Sequence, residues 1–201
     1  MKVIVVTGGI GSGKSSACRF LEREYGWPVY YADSKVKQLY AASPDLLDRI
    51  ETALEGGFRD ENGNFVSSRL ASVIFSDASA LEKVENIVFP ALTSDFEAWK
   101  DRHTDCRYVI LESATILEKP SLKGLGDITI LIDAPIDVRA RRASERDGVP
   151  MENILGRMQS QKLMNCVSQE GIDIGVDMVV NNDSTESVFH SRLRGIAEKL
   201  L

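Results

Sequence analysis

Val3-Ile4-Val5-Val6-Thr7-Gly8-Gly9-Ile10-Gly11-Ser12-Gly13-Lys14-Ser15 is the stretch whose reading decides the fold. Residues 3–6 form a short apolar run, bounded by glycines, that reads as a buried strand. Residues 8–15 fit the pattern G-x-x-x-x-G-K-[ST], with Gly8 and Gly13 at the fixed glycines. Helical spacing then runs from Ser15 to Tyr25, with Gly26 and Pro28 as stop signals. Strand, glycine-rich turn and helix together make a phosphate-binding loop. Its backbone N–H groups converge on phosphate oxygens, which requires freedom from Cβ clashes at Gly8, Gly11 and Gly13. The helix adds the positive end of its dipole. Lys14 is placed to reach the β- and γ-phosphates and Ser15 to hold Mg²⁺.

The rest of the chain alternates short apolar runs with helical periodicity. Strands are expected at Lys2–Val6, Val29–Tyr31, Arg107–Leu111, Ile128–Ile132 and Met178–Val180. A closing amphipathic helix is expected at Thr185–Leu201. Between the second and third strands, Leu81, Val84, Ile87, Val88 and Leu92 share a helical face, with Asp77 as N-cap and Pro90 as a kink or stop. Strands separated by helices imply right-handed crossovers and an α/β fold with a doubly wound parallel sheet. Ligands of such sheets gather at the carboxyl ends of the strands.

The 201 residues suit one domain, and a hydrophobic fraction of 43% supports a sizeable core. A net charge of −6 argues against a nucleic-acid polymer as partner. The sequence shows no secretory signal and no apolar stretch long enough to span a membrane. Cys18, Cys106 and Cys166 are widely spaced, with no C-x-x-C pair. That spacing fits a reducing cytoplasm and small apolar roles, without zinc site or disulfide. His103 and His190 are expected on the surface.

Three polar features fall near strand ends. Asp33, just after the second strand, could accept a proton from a substrate hydroxyl or simply cap the next helix. Glu112, after the third strand, could hold Mg²⁺, although the usual residue there is Asp, or be a rim carboxylate. Arg139, Arg142 and Arg146 lie at i, i+3 and i+7, on one helical face. That stripe reads as a phosphate-closing lid, set against the plainer reading of a solvated face relieved by Glu145 and Asp147.

With these residues in view, the chain resembles the dephospho-coenzyme A kinases, which are P-loop enzymes of nucleoside-monophosphate-kinase type. Val6–Ser15 is similar to the N-terminal signature of that family. Val29-Tyr30-Tyr31-Ala32-Asp33 resembles its segment ending Asp-Ala-Asp, and Val73-Ile74-Phe75-Ser76-Asp77 its Ile-Val-Phe-Ser-Asp. Ile116-Leu117-Glu118 is similar to the end of its Pro-Leu-Leu-Phe-Glu, and Asp137–Gly148 to its lid. Arg157–Gln161 resembles its Arg-x-x-x-Gln, and Val176–Asn182 its closing motif. The departures are Tyr31 for an aspartate, Phe89-Pro90 for His-Pro, Ala114-Thr115 within the Pro-Leu-Leu-Phe-Glu segment, and Ser67 where an arginine is usual.

The resemblance implies a single P-loop kinase domain over 1–201, with a helical acceptor part over 61–104 and a lid over 139–165. It implies ATP and dephospho-coenzyme A as partners, Mg²⁺ with the ATP, and transfer to the ribose 3′-hydroxyl; a monomer is expected. Gly9, Gly11, Ser12, Gly13, Lys14, Ser15, Ser16, Arg139, Arg142 and Asn182 would bind ATP, with Asn182 near the adenine. Asp33, Lys14 and Arg142 would be catalytic. Asp33, Phe89 and Glu118 would meet the acceptor, and Ser15 and Glu112 the metal. Another small-molecule kinase, for a nucleotide or a sugar acid, would share the loop, base and lid arginines. A regulatory GTPase is disfavoured. The chain has no N-K-x-D, and Asp60-Glu61-Asn62-Gly63 fits D-x-x-G only among turn residues.

Overall fold

The computed structural model describes residues 1–119, 122, 124–159, 161 and 175–201. Cys166 and positions 160 and 162–165 of the expected lid lie outside the described residues. Among the described residues there are five strands: β1 (Lys2–Thr7), β2 (Val29–Tyr31), β3 (Tyr108–Glu112), β4 (Ile128–Asp133) and β5 (Met178–Asn181). Eight α-helices accompany them: α1 (Lys14–Tyr25), α2 (Ala32–Ala42), α3 (Pro44–Leu54), α4 (Ser67–Ser76), α5 (Ala78–Lys100), α6 (Ile136–Asp147), α7 (Met151–Gln159) and α8 (Glu186–Leu200). The chain divides into two compact units. One comprises Met1–Tyr31 with His103–Leu201, and the other is Ala32–Arg102.

The first unit holds the sheet. Every pairing is parallel, in the order β2-β3-β1-β4-β5, so β1 is central. Both faces are covered, as a parallel sheet requires. Ile4, Val6, Ile110, Ile130 and Ile132 pack with Phe20 and Leu21 of α1 and with Phe189 and Leu193 of α8. Val5, Val109 and Leu131, on the opposite side of the pleat, are buried as well. Gly26 ends α1 in the left-handed conformation, its N–H bonded to the Glu22 carbonyl at 2.9 Å.

The second unit is helical. Leu46, Leu47 and Ile50 of α3, Leu70 of α4, and Val84 and Val88 of α5 form its core around Phe58. It contains the expected 61–104 stretch as far as Arg102, together with α2 and α3. Asp77 caps α5, accepting from the Ser79 N–H at 2.8 Å. No helix among the described residues is long and apolar enough to cross a membrane.

The structure corrects several expectations. Helix α5 passes through Pro90 and continues to Lys100. A proline removes one i→i−4 hydrogen bond. The buried ladder Val84, Val88, Leu92 and Phe96 spans the break, and Pro90 itself is exposed. Strands β3, β4 and β5 each end one residue later than expected, which brings Glu112, Asp133 and Asn181 into the sheet. His190 is not a free surface residue: it is half-buried and stacked on Phe20, with ring centroids 4.3 Å apart.

Ile110 is fully buried at the centre of β3. Ile110→Ala should therefore destabilise the protein by about 2–5 kcal/mol, measured by chemical denaturation. A loss smaller than about 1 kcal/mol would show that the sheet repacks around the cavity.

Candidate functional site

The loop between β1 and α1 is held from behind by side chains far away in sequence. The Asn182 amide, just past β5, donates from Nδ2 to the Ser12 carbonyl at 2.8 Å. Its own N–H donates to the Asp133 carbonyl at 2.6 Å. Gln161 accepts from the Ile10 N–H at 2.9 Å. The Lys14 ammonium donates to the carbonyls of Gly8 and Gly9 at 2.9 and 3.2 Å. Two close approaches explain glycines that the pattern alone leaves free or merely names. Gly13 has φ +101°, and a Cβ there would lie 2.3 Å from Asn182 Nδ2. A Cβ on Gly11 would lie 2.1 Å from the Arg139 carbonyl oxygen.

In front of the loop is a cavity of about 320 Å³ walled by Gly11, Gly13, Lys14, Ser15, Ser16, Arg19, Arg142 and Arg146. Four cationic side chains around one small cavity in a net acidic chain form a site for a multiply charged anion. Arg142 is half-buried and donates from Nη1 to the Asn182 carbonyl at 3.0 Å, which aims the guanidinium. Arg146 is paired with Asp147, whose carboxyl is lowered to about 2 by its hydrogen bond from Arg146 and, secondarily, from Arg157.

The arginine stripe is thus divided. Arg142 and Arg146 wall the loop cavity. Arg139 is only 6% exposed and lines a different cavity, of about 670 Å³, with Asp133, Met158 and Asp183. Its Nη1 presses on Gly9, where a Cβ would lie 1.8 Å away. Its buried Nε has no hydrogen-bond partner among the described residues. The reason is the packing of α6, whose Ala140 and Ala143 seat it against Ile154 and Met158 of α7 and draw position 139 inward. Arg19 is a site residue that the loop pattern does not include. The signal was present, since Arg19 follows Ser15 by four residues and so shares its face of α1.

Glu112 ends β3 in register with Val6 of β1 and Tyr31 of β2, and is only 5% exposed. Burial, and next the Glu112 charge, push the Cys18 thiol well above its ordinary range, with Lys14 opposing. Tyr31 is pushed up to about 12, chiefly by burial, and is therefore neutral across the physiological range. Glu118, in the short 3₁₀ turn Ile116–Glu118, is half-buried. In the helical unit, Asp33 is exposed as the second residue of α2, past the cap position. Phe89 is half-buried on α5 beside the buried Val88.

A parallel sheet whose central strand feeds a phosphate loop ringed by cations defines a P-loop kinase of nucleoside-monophosphate-kinase type. The dephospho-CoA kinase profile matches residues 2–187, and the chain belongs to the dephospho-CoA kinase family. It is 39% identical over 173 residues to the dephospho-CoA kinase of Porphyromonas gingivalis, covering 86% of this chain and 84% of that one. The solved structure of TT1252 from Thermus thermophilus superposes with a TM-score of 0.83 at 26% identity, covering 100% of this chain and 98% of that one. Dephospho-CoA kinase from Campylobacter jejuni, at 18% identity, shares the fold with a TM-score of 0.65 over 98% of this chain and 96% of its own.

Gly13→Ala should lower nucleotide affinity about tenfold or more, because it adds backbone strain and displaces the Asn182 amide. Calorimetric titration with ATP checks this, and unaltered affinity would mean that the loop adapts without its brace.

Proposed function

We propose that this chain, working as a monomer in the cytoplasm, transfers the γ-phosphoryl group of ATP to the ribose 3′-hydroxyl of dephospho-coenzyme A. The products are coenzyme A and ADP, and the step is the last in coenzyme A biosynthesis. One observation carries the ATP side: Lys14, Arg19, Arg142 and Arg146 converge on a single cavity at the mouth of the loop. Family membership carries the acceptor.

Phosphoryl transfer needs positioning and charge stabilisation more than covalent help. In this reading the loop N–H groups from Gly9 to Ser16 and the start of α1 seat the β- and γ-phosphates. Lys14 leaves the Gly8 and Gly9 carbonyls to follow the charge of the transferring group. Arg142, pinned through Asn182, presents its remaining N–H groups to the equatorial oxygens. Arg146 adds charge at the rim, while Arg139 supports the loop from behind. Asn182 also acts as a brace, with its amide spent on Ser12. Asp33 accepts the proton of the 3′-hydroxyl as the oxygen attacks phosphorus. Phe89 and Glu118 are assigned to acceptor contacts by resemblance.

Mg²⁺ would be held by the Ser15 hydroxyl and by Glu112, directly or through water. Both are oxygen donors, as Mg²⁺ prefers. Ser15 lines the cavity, and Glu112 ends β3 in register with Val6 of β1, the strand that feeds the loop. Mg²⁺ keeps several waters and takes few protein oxygens when phosphates complete its shell. Bound there, it would neutralise charge between the β- and γ-phosphates.

A coupled assay of ADP release with ATP and dephospho-coenzyme A tests the reading, with adenosine 5′-phosphate and shikimate as rival acceptors. Turnover of a rival in preference to dephospho-coenzyme A would overturn it. Lys14→Ala should lower kcat by about 10³ or more while the fold is kept, and retention of over about a tenth of the activity would remove its assigned role. Asp33→Asn should lose turnover by about 10² or more with ATP affinity unchanged. Near-normal turnover would make Asp33 a structural residue of α2.

A further inference from the structure

Behind the phosphate loop, the cavity of about 670 Å³ that Arg139 lines shares no described lining residue with the cavity at the mouth of the loop. Its walls hold two charges of opposite sign. The Arg139 guanidinium is buried there and makes no hydrogen bond or ion pair among the described residues. A buried cation without a partner is costly, and an anion in the cavity relieves it. The Asp133 carboxylate, half-buried in the same wall, is likewise unpaired among the described residues. The two charges share the cavity without pairing with each other. Asp183 is already held by Arg192 at 2.6 Å, so it adds no free charge.

The backbone adds a second seat for an anion. Helix α6 starts at Ile136, and the first of its N–H groups to reach a helical carbonyl is that of Arg139, on Pro135. No side chain caps the N–H groups before it, and both Pro135 and Ile136 line the cavity. A carboxylate seated there meets the helix dipole and Arg139 together. Much of the remaining wall is apolar, from Ala134, Ile136, Leu155 and Met158. Ile136 and Leu155 are 54% and 36% exposed, and covering them is favourable. We propose that this cavity binds an α-amino acid with an apolar side chain, such as leucine. The carboxylate lies between Arg139 and the start of α6, the ammonium faces Asp133, and the side chain covers Ile136 and Leu155. A phosphate dianion suits the site less well, because Asp133 repels it. A zwitterion satisfies both unpaired groups at once and brings no net charge. The occupant touches the nucleotide site only through Arg139, which lies against Gly9 and Gly11.

Calorimetric titration of the whole chain with leucine tests the site. 4-Methylpentanoate and 3-methylbutylamine serve as probes that keep the side chain and lose one charge each. Leucine should bind saturably, and each probe should bind about tenfold or more weaker. Arg139→Gln and Asp133→Asn should each weaken leucine about tenfold. In Asp133→Asn, leucine should also lose its advantage over 4-methylpentanoate, which a merely structural role for Asp133 does not predict. Leu155→Glu should weaken leucine about tenfold by setting a second carboxylate at the apolar wall. Its affinity for ATP should stay within about twofold, as expected of a folded protein with an intact loop. Absence of saturable leucine binding would overturn the proposal. So would equal binding of leucine and 4-methylpentanoate by the wild type, or undiminished leucine binding in both Arg139→Gln and Leu155→Glu. None of these measurements uses dephospho-coenzyme A, so the kinase reading stands or falls apart from them.

Discussion

A loop that offers its N–H groups to an anion has few left with which to hold its own shape, so that shape must be imposed from outside. Here it is imposed by Asn182 on Ser12, Gln161 on Ile10 and the Arg139 backbone against Gly11. These residues come from the ends of β5, α7 and α6, elements that reach the loop only because β4 lies beside β1 and β5 beside β4. The order of the sheet and the geometry of the loop are therefore one constraint. The same amide explains Gly13, since any side chain there would strike it. It also explains the aim of Arg142, which is tied to the carbonyl of the residue that braces the loop.

Charge is distributed with the same economy. The chain as a whole is acidic, yet Lys14, Arg19, Arg142 and Arg146 face one cavity. Such a concentration repels itself unless an anion or a counter-charge relieves it. Arg146 has Asp147, and Lys14 rests on two carbonyls. Among the described residues Arg19 makes no such pairing, and Arg142 spends one N–H on protein, at the Asn182 carbonyl. Arg142, which the proposed transfer aims at the phosphates, is thus left without a carboxylate partner among the described residues.

The sheet and the loop were legible because both are local patterns: apolar runs of fixed length, and glycines at fixed spacing before Lys14-Ser15. Lys14 and Ser15, and Arg142 from the helical stripe, line one cavity. Arg139 was not legible in the same way. Helical spacing put it on a stripe with Arg142 and Arg146, but the small residues Ala140 and Ala143 let α7 approach and turned position 139 toward the back of the loop. Pro90 did not end α5, one of the two outcomes expected of it, since a buried ladder on both sides carried the helix through the missing hydrogen bond. Asn182 was singled out by resemblance, with a place near the adenine. Its work as a brace depends on a partner 170 residues away, which spacing along the chain does not reveal.

The position of β1 has a consequence for how the protein is made. Lys2–Thr7 leaves the ribosome before its two neighbours in the sheet, β3 and β4, have been made. Lys2 pairs in register with Tyr108, and Ile4 with Ile128. Contacts so distant in sequence are slow to close. The residues that brace the phosphate loop arrive later still, with Asn182 after all five strands. Ala32–Arg102, whose contacts are local, can assemble first while β1 waits. A nascent chain that stalls after the helical unit would therefore hold that unit folded beside an exposed, aggregation-prone first strand, with the braces of the phosphate loop still unmade.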